Sequence, residues 1–141
     1  MTLDEFRIKH SLLIEHYQHI EFNLKGILSS INDGKEFLDG MDEVEKDTIR
    51  RVINGIKAKQ KSRDEVVLSV EECNQLKHIS ERRNYWCHQC YIEMVFDRDT
   101  GDPKKKPQID ALLRDLMEAE RMRAHLFDKK IPLLEKKVRG K

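Results

Sequence analysis

Proline and glycine are scarce in this 141-residue chain, at three and six residues. That is too few for the turns an all-β sandwich or barrel needs roughly every ten residues, so helices are the default expectation. No stretch approaches the roughly 18 to 20 apolar residues of a membrane span, and the opening Met1-Thr2-Leu3-Asp4-Glu5 has neither the basic start nor the apolar run of a signal peptide. A cytoplasmic protein without a membrane partner is therefore expected. The three cysteines, Cys73, Cys87 and Cys90, are too few and odd in number for a disulfide framework, which predicts reduced thiols.

What the chain does have is charge and aliphatic residues. Charged side chains occupy 38% of positions, yet 27 basic and 26 acidic groups leave a formal charge of only +1. Leu, Ile, Val and Phe together make up about 27%, above the roughly 20% below which chains tend to stay unfolded. Near-neutrality hides blocks of alternating sign: −6 over residues 1–47, +6 over 48–63, −5 over 64–103 and +6 over 104–141. The basic block containing Arg50, Arg51, Lys57, Lys59, Lys61 and Arg63 could attract phosphates or be a solvated helix face.

Spacing then supplies the elements. From Phe6, the residues Leu13, Tyr17, Ile20, Leu24, Ile27, Leu28 and Ile31 recur at intervals of three and four, predicting a long first helix that Asn32-Asp33-Gly34 would stop. A second helix is predicted from about Asp42 to Lys59, with Val44, Ile49, Val52, Ile53 and Ile56 inward and Gly55 a weak point. Ser69-Val70-Glu71-Glu72 fits the capping box, in which the hydroxyl and the Glu each satisfy a free backbone N–H, and should open a third helix running to about Phe96. Residues 97–107, with Asp99-Thr100-Gly101-Asp102-Pro103 and Lys104-Lys105-Lys106-Pro107, read as an exposed basic loop. A fourth helix should carry Ile109, Leu112, Leu113, Leu116, Met117 and Phe127 as its apolar stripe, with Pro132 kinking or ending it and a frayed basic tail beyond. Amphipathic helices that cannot bury their stripes alone pack together, so the expected fold is all-α, a single up-and-down four-helix bundle over residues 1–141.

The third helix breaks its own pattern. On a wheel of about 100° per residue with Arg83 at zero, Trp86 falls at about −60°, Ile79 at −40°, Cys90 at −20°, Leu76 and Met94 at +20° and Cys87 at +40°. Arg83 lies in the middle of that apolar arc, while Asn84 and His88 share its polar shoulder. A guanidinium stays charged, so its burial costs several kcal/mol unless a carboxylate, for instance Glu15 or Glu21, or a bound anion answers it. Arg83 and His88 would lie about 7.5 Å apart along the axis, a span that suits a phosphodiester. An imidazole can take a proton from a ribose 2′-hydroxyl or give one to a leaving oxygen, and an Arg can neutralise the crowded phosphorus, without a metal. Asn84 could hold the imidazole tautomer or contact the phosphate.

Arg83-Asn84-Tyr85-Trp86-Cys87-His88 resembles the R-x4-6-H signature of the HEPN superfamily, with a polar residue directly after the Arg. Glu15-His16-Tyr17-Gln18-His19-Ile20-Glu21-Phe22-Asn23-Leu24-Lys25 is similar to the first helix of these domains. The resemblance implies a metal-independent ribonuclease, often a toxin or antiviral defence component, working as a homodimer in which the two Arg-x4-6-His helices meet in a composite cleft. It implies that Arg83 stabilises the phosphate, His88 is the acid or base and Asn84 orients them, with RNA as substrate and an antitoxin or defence-system protein as a possible partner. Members paired with a nucleotidyltransferase antitoxin carry R-x4-H-x-Y; here Cys90 stands two after His88 and Tyr91 one later, so that control is not implied.

Cys87-His88-Gln89-Cys90 is read as packed core thiols, because Cys73 would sit about 21 Å away along the same helix, out of reach of a shared zinc. No metal or cofactor is expected. Trp86 and Tyr85 could stack on bases but at helical spacing read as packing. Arg50, Arg51, Lys57, Lys104, Lys105 and Lys106 are candidate contacts to flanking RNA phosphates. Two alternatives stand beside the nuclease: a non-catalytic helical module binding a partner protein or nucleotide, with Arg83 merely ion-paired, and a subunit that cleaves only within a larger defence complex.

Overall fold

The computed structural model describes residues 1–31 and 49–139, which are all-helical apart from one isolated bridge between Phe96 and Pro103. Among the described residues there are four long helical segments: α1 (Leu3–Ile31), α2 (Ile49–Ser62), α3 (Val70–Asn84) with its continuation, and α5 (Lys106–Arg139). The continuation of α3 is a π turn over Tyr85–Gln89 and a short α4 (Cys90–Glu93). The Asn32-Asp33-Gly34 stop, Val44 and the start predicted for the second helix near Asp42 lie outside the described residues.

α1 matches its pattern: Phe6 and each of the seven apolar residues spaced behind it are buried. In α2, Ile49, Val52, Ile53 and Ile56 are wholly buried. Gly55 permits close approach, since a Cβ there would stand 3.1 Å from Leu28 Cδ2. Fully burying such aliphatic side chains is worth about 1.5–3 kcal/mol each relative to exposure, so this helix is held by packing.

The predicted capping box is present. Ser69 Oγ accepts from the Glu72 N–H at 3.1 Å, and Glu72 Oε1 accepts from the Ser69 N–H at 2.9 Å. Glu72 also receives Lys129 Nζ at 2.8 Å and His125 Nε2 at 2.6 Å, which ties the start of α3 to α5.

Partner positions give the helix directions. His16–Arg123, Asn23–Lys130 and Ser29–Lys137 advance together, so α1 and α5 lie side by side running the same way. Glu72–Lys129, His78–Glu118 and Arg82–Asp115 advance in opposite senses, so α3 runs against α5. The strict up-and-down alternation expected from the sequence, which would set the first and last helices antiparallel, is thus not kept. Charge and hydrogen bonding join α1 to α5: buried Lys130 reaches Asn23 Oδ1 at 2.8 Å, under Phe22 and Phe127 at 4.7 and 5.2 Å.

Three further expectations need correction. The last helix passes through Pro132 to Arg139, rather than ending or fraying there. Pro132 is exposed, so the carbonyl it leaves unbonded faces water, and Lys137 fastens the following turn to the Ser29 carbonyl at 3.1 Å. The buried face of α5 is Leu112, Asp115, Ala119, Met122, Leu126 and Lys130, whereas Met117 and Phe127 are about half exposed. Two polar residues on that face disguised its period. Finally, the 97–105 loop is a tight hairpin rather than a free loop: Pro103 is buried, and Asp102 Oδ1 accepts from the Leu3 N–H at the start of α1 at 2.7 Å.

Glu72 carries a pH prediction. Burial would raise its carboxyl, but hydrogen bonds from Lys129, the Ser69 N–H and His125 outweigh that and hold it at about 2, below its ordinary 4.5. Its stabilising contribution is therefore complete above about pH 4.5 and is lost as the pH falls towards 2. Glu72→Gln is expected to cost about 1–2 kcal/mol in urea unfolding at pH 7, with the gap from the parent closing as both are measured towards pH 2.5.

Candidate functional site

The helix that carries Arg83 and His88 is not a continuous α-helix. After Arg83 the chain makes a π turn that contains His88, with the Cys90 N–H bonded to the Tyr85 carbonyl five residues back. One such turn inserts a residue into the α register and rotates the downstream residues back by about 100°. A straight wheel separates Arg83 and His88 by about 140°, and His88, inside the turn, takes only part of that rotation. Around the turn Cys87 and Tyr91 are exposed, while Trp86, Cys90 and Met94 are buried. The third helix predicted to reach Phe96 in α geometry ends at Glu93, and Met94 is already extended.

The residues around the turn hold it. The Trp86 carbonyl accepts from His10 Nε2 at 2.8 Å and from the Cys90 thiol at 3.3 Å. His10 must carry its proton on Nε2 to donate there. Tyr91 packs edge-on to Phe6 and His10 and stacks on Phe96. The aromatic residues of this stretch are therefore packing, as their helical spacing predicts.

Arg83 is the most covered of the three residues singled out from the sequence, with 26% of its side chain exposed. Its Nη2 lies 3.8 Å from Glu21 Oε2 on α1, one of the two carboxylates foreseen as a partner. Its Nη1 stands 3.5 Å from Asn84 Oδ1. Both contacts are longer than the usual 2.9–3.0 Å hydrogen bond, and Glu21 is shared with Lys25 at 3.5 Å. A guanidinium has five N–H donors, so Arg83 keeps donors for an anion. His88 is exposed and has no hydrogen-bond or ion-pair partner among the described residues. Cys87 neighbours this corner: burial raises its thiol, and the Arg83 charge works the other way.

The strongest ion pair of the region belongs to a residue the sequence did not single out. Arg82 Nε donates to Asp115 Oδ2 at 2.7 Å, and Trp86 Nε1 donates to the same oxygen at 2.8 Å. Asp115 is 2% exposed, and Arg82 also lies over the Tyr85 ring at 4.7 Å. A carboxylate on the inner face of α5 was invisible to a search for apolar periodicity. Its one signal was its place in the 112, 115, 119, 122 spacing.

The basic candidates divide between two places. Arg50 and Arg51 are exposed on α2. Lys57 faces Lys77 of α3 so closely that its ammonium, with help from Arg50, holds the Lys77 amine below its usual range. Lys104, Lys105 and Lys106 are exposed before and at the start of α5. Lys57 thus joins a cationic patch on α2 and α3, to which Lys77 is an unforeseen addition. Two open grooves accompany these features. One of about 840 Å³ between α3 and α5 is lined by Glu72, Gln75, Met117, Glu118 and Arg121 among others, and one of about 610 Å³ between α1 and α5 has Lys130 beside Phe22 and Phe127.

Compared with known proteins, the chain matches no family model, no curated protein and no solved structure. The HEPN resemblance therefore stands on the residues quoted for it.

Asp115→Ala is expected to cost about 2–4 kcal/mol in chemical unfolding, because the Arg82 charge and the Trp86 N–H lose their common acceptor while Arg82 can turn partly to water. Emission from Trp86, the chain's one tryptophan, should shift to the red in the folded variant.

Proposed function

We propose that this chain is a metal-independent endoribonuclease of the HEPN type, a toxin or antiviral defence component acting in the cytoplasm at a site shared by two copies of its four-helix bundle. The reading rests on the underused guanidinium of Arg83, held only by contacts of 3.5 and 3.8 Å, and on an exposed His88 five residues further on, within the π turn. Two copies meeting along this edge would supply two Arg and two His to one phosphodiester. One His88 takes the proton of the 2′-hydroxyl as its oxygen bonds to phosphorus. The bond from phosphorus to the 5′-oxygen breaks, and the second His88 gives that oxygen a proton. The products are a cyclic 2′,3′-phosphate and a free 5′-hydroxyl. Arg83 balances the charge gathered on the phosphate oxygens, and Asn84, in reach of Arg83, fixes the fork. Arg50, Lys57, Lys77 and the Lys104–Lys106 run would bind flanking phosphates and make cleavage salt-sensitive.

One observation favours a second reading. Glu21 already answers Arg83, as in a non-catalytic helical module that binds a partner protein or nucleotide. Purified protein incubated with mixed RNAs in excess chelator separates the two. The nuclease reading expects cleavage by the parent, reduced at least about a hundredfold in Arg83→Ala and in His88→Ala, with ends that carry cyclic phosphate. Equal background from all three proteins contradicts it and favours the module.

A further inference from the structure

Asp115 hydrogen-bonds through one oxygen only. Arg82 and Trp86 both bond to Oδ2, while Oδ1 is buried without a hydrogen bond. Only one other buried side-chain oxygen or nitrogen among the described residues has none, the Tyr17 hydroxyl. It belongs to the same corner: burial and then the Asp115 charge push its ionisation up. Leaving a buried carboxylate oxygen without a hydrogen bond costs about 1–3 kcal/mol, and its nearest cation, Arg114 Nε, stands 3.8 Å away, so Oδ1 can still take a closer cation.

Two further donors lie near the Asp115 carboxylate. Glu118 comes three residues after Asp115 on α5 and therefore lies on the same face. His78 comes from α3 opposite, its Nε2 4.0 Å from Glu118 Oε2. One donor atom from each of His78, Asp115 and Glu118 lies within 4.8 Å of the other two. A zinc ion held at about 2.0–2.2 Å wants tetrahedral donors roughly 3.3–3.6 Å apart. His78 and Glu118 are partly exposed, with 52% and 34% of their side chains accessible, so both have room to close the remaining distance.

We infer that His78, Asp115 and Glu118 form a binding site for one divalent transition-metal ion, zinc by its donor set, which clasps α3 to α5 beside the Arg82–Arg83 segment. An imidazole with two carboxylates favours zinc over magnesium or calcium, which prefer all-oxygen sites, and the two negative charges match the ion's. Arg82 and Trp86 act as the outer shell that fixes the orientation of Asp115. Two cations oppose the ion. Arg82 is committed to Oδ2, and Arg114 Nε stands 3.8 Å from Oδ1 on a side chain that is 68% exposed and free to swing into water. The site is independent of the nuclease reading, whose test is run in chelator.

The test is calorimetric titration of ZnCl2 into the chelator-stripped full chain, with melting curves alongside. The parent is expected to bind one equivalent at this site and to melt at a higher temperature with zinc, while millimolar magnesium neither competes nor stabilises. His78→Ala and Glu118→Gln should each weaken that binding at least about tenfold and remove the melting shift. Arg114→Ala should tighten it a few-fold, a gain that no generally damaged protein would show. No zinc binding by the parent at 100 times its own micromolar concentration, or equal binding by parent, His78→Ala and Glu118→Gln through thiols or other imidazoles, overturns the proposal.

Discussion

A carboxylate buried on the inner face of the last helix is the constraint on which the arrangement depends. Asp115 cannot be left alone in the core, because the cost of an uncompensated buried charge runs to several kcal/mol. Arg82 and Trp86 answer it with a charged and a neutral hydrogen bond to a single oxygen. Those two donors straddle Arg83 and the first residues of the π turn, so satisfying Asp115 also sets where the end of α3 lies against α5. Direct packing between α3 and α5 is sparse, and polar ties do much of the joining: Glu72 with Lys129 and His125 at one end, Asp115 with Arg82 and Trp86 at the other.

The same anchoring holds the π turn in place. Trp86 is pinned on one side by its indole N–H to Asp115 and on the other by its carbonyl to His10 of α1. A residue held from both neighbouring helices leaves the chain to absorb one extra residue locally, and π turns of this kind are found often at functional sites. Arg83 then sits on the α1 side with Glu21, and His88 is left exposed at the outer edge. The positive arginine thus stands just before the irregular turn, and the imidazole lies within it.

Much of the fold was legible because burial in a helix has a period. The α1 residues from Phe6 to Ile31 and the α2 residues from Ile49 to Ile56 needed only their spacing, and Ser69 with Glu72 announced the start of α3 through local hydrogen bonding. Long-range choices were not legible in this way. The shared direction of α1 and α5 depends on pairs such as Asn23 and Lys130, more than a hundred residues apart. The buried face of α5 was misread because Asp115 and Lys130 look like surface residues until their partners are in place. For the site, the wheel foresaw a covered Arg83 needing a carboxylate and offered Glu15 or Glu21, of which Glu21 is the one found, but a wheel of uniform pitch cannot contain a π turn. It placed Cys87 inward where the structure has it exposed, and it missed Arg82, the arginine that carries the deeper ion pair.

The central claim, that Asp115 holds the indole of Trp86 in the core and so locks the end of α3, is tested most directly on the indole proton itself. The chain has one tryptophan, so its Nε1–H gives a single unambiguous NMR resonance. Hydrogen exchange of that proton should be slow, with an opening free energy close to that of global unfolding. Exchange at the rate of a solvent-exposed indole, under conditions where the α1 amides remain protected, would contradict the account.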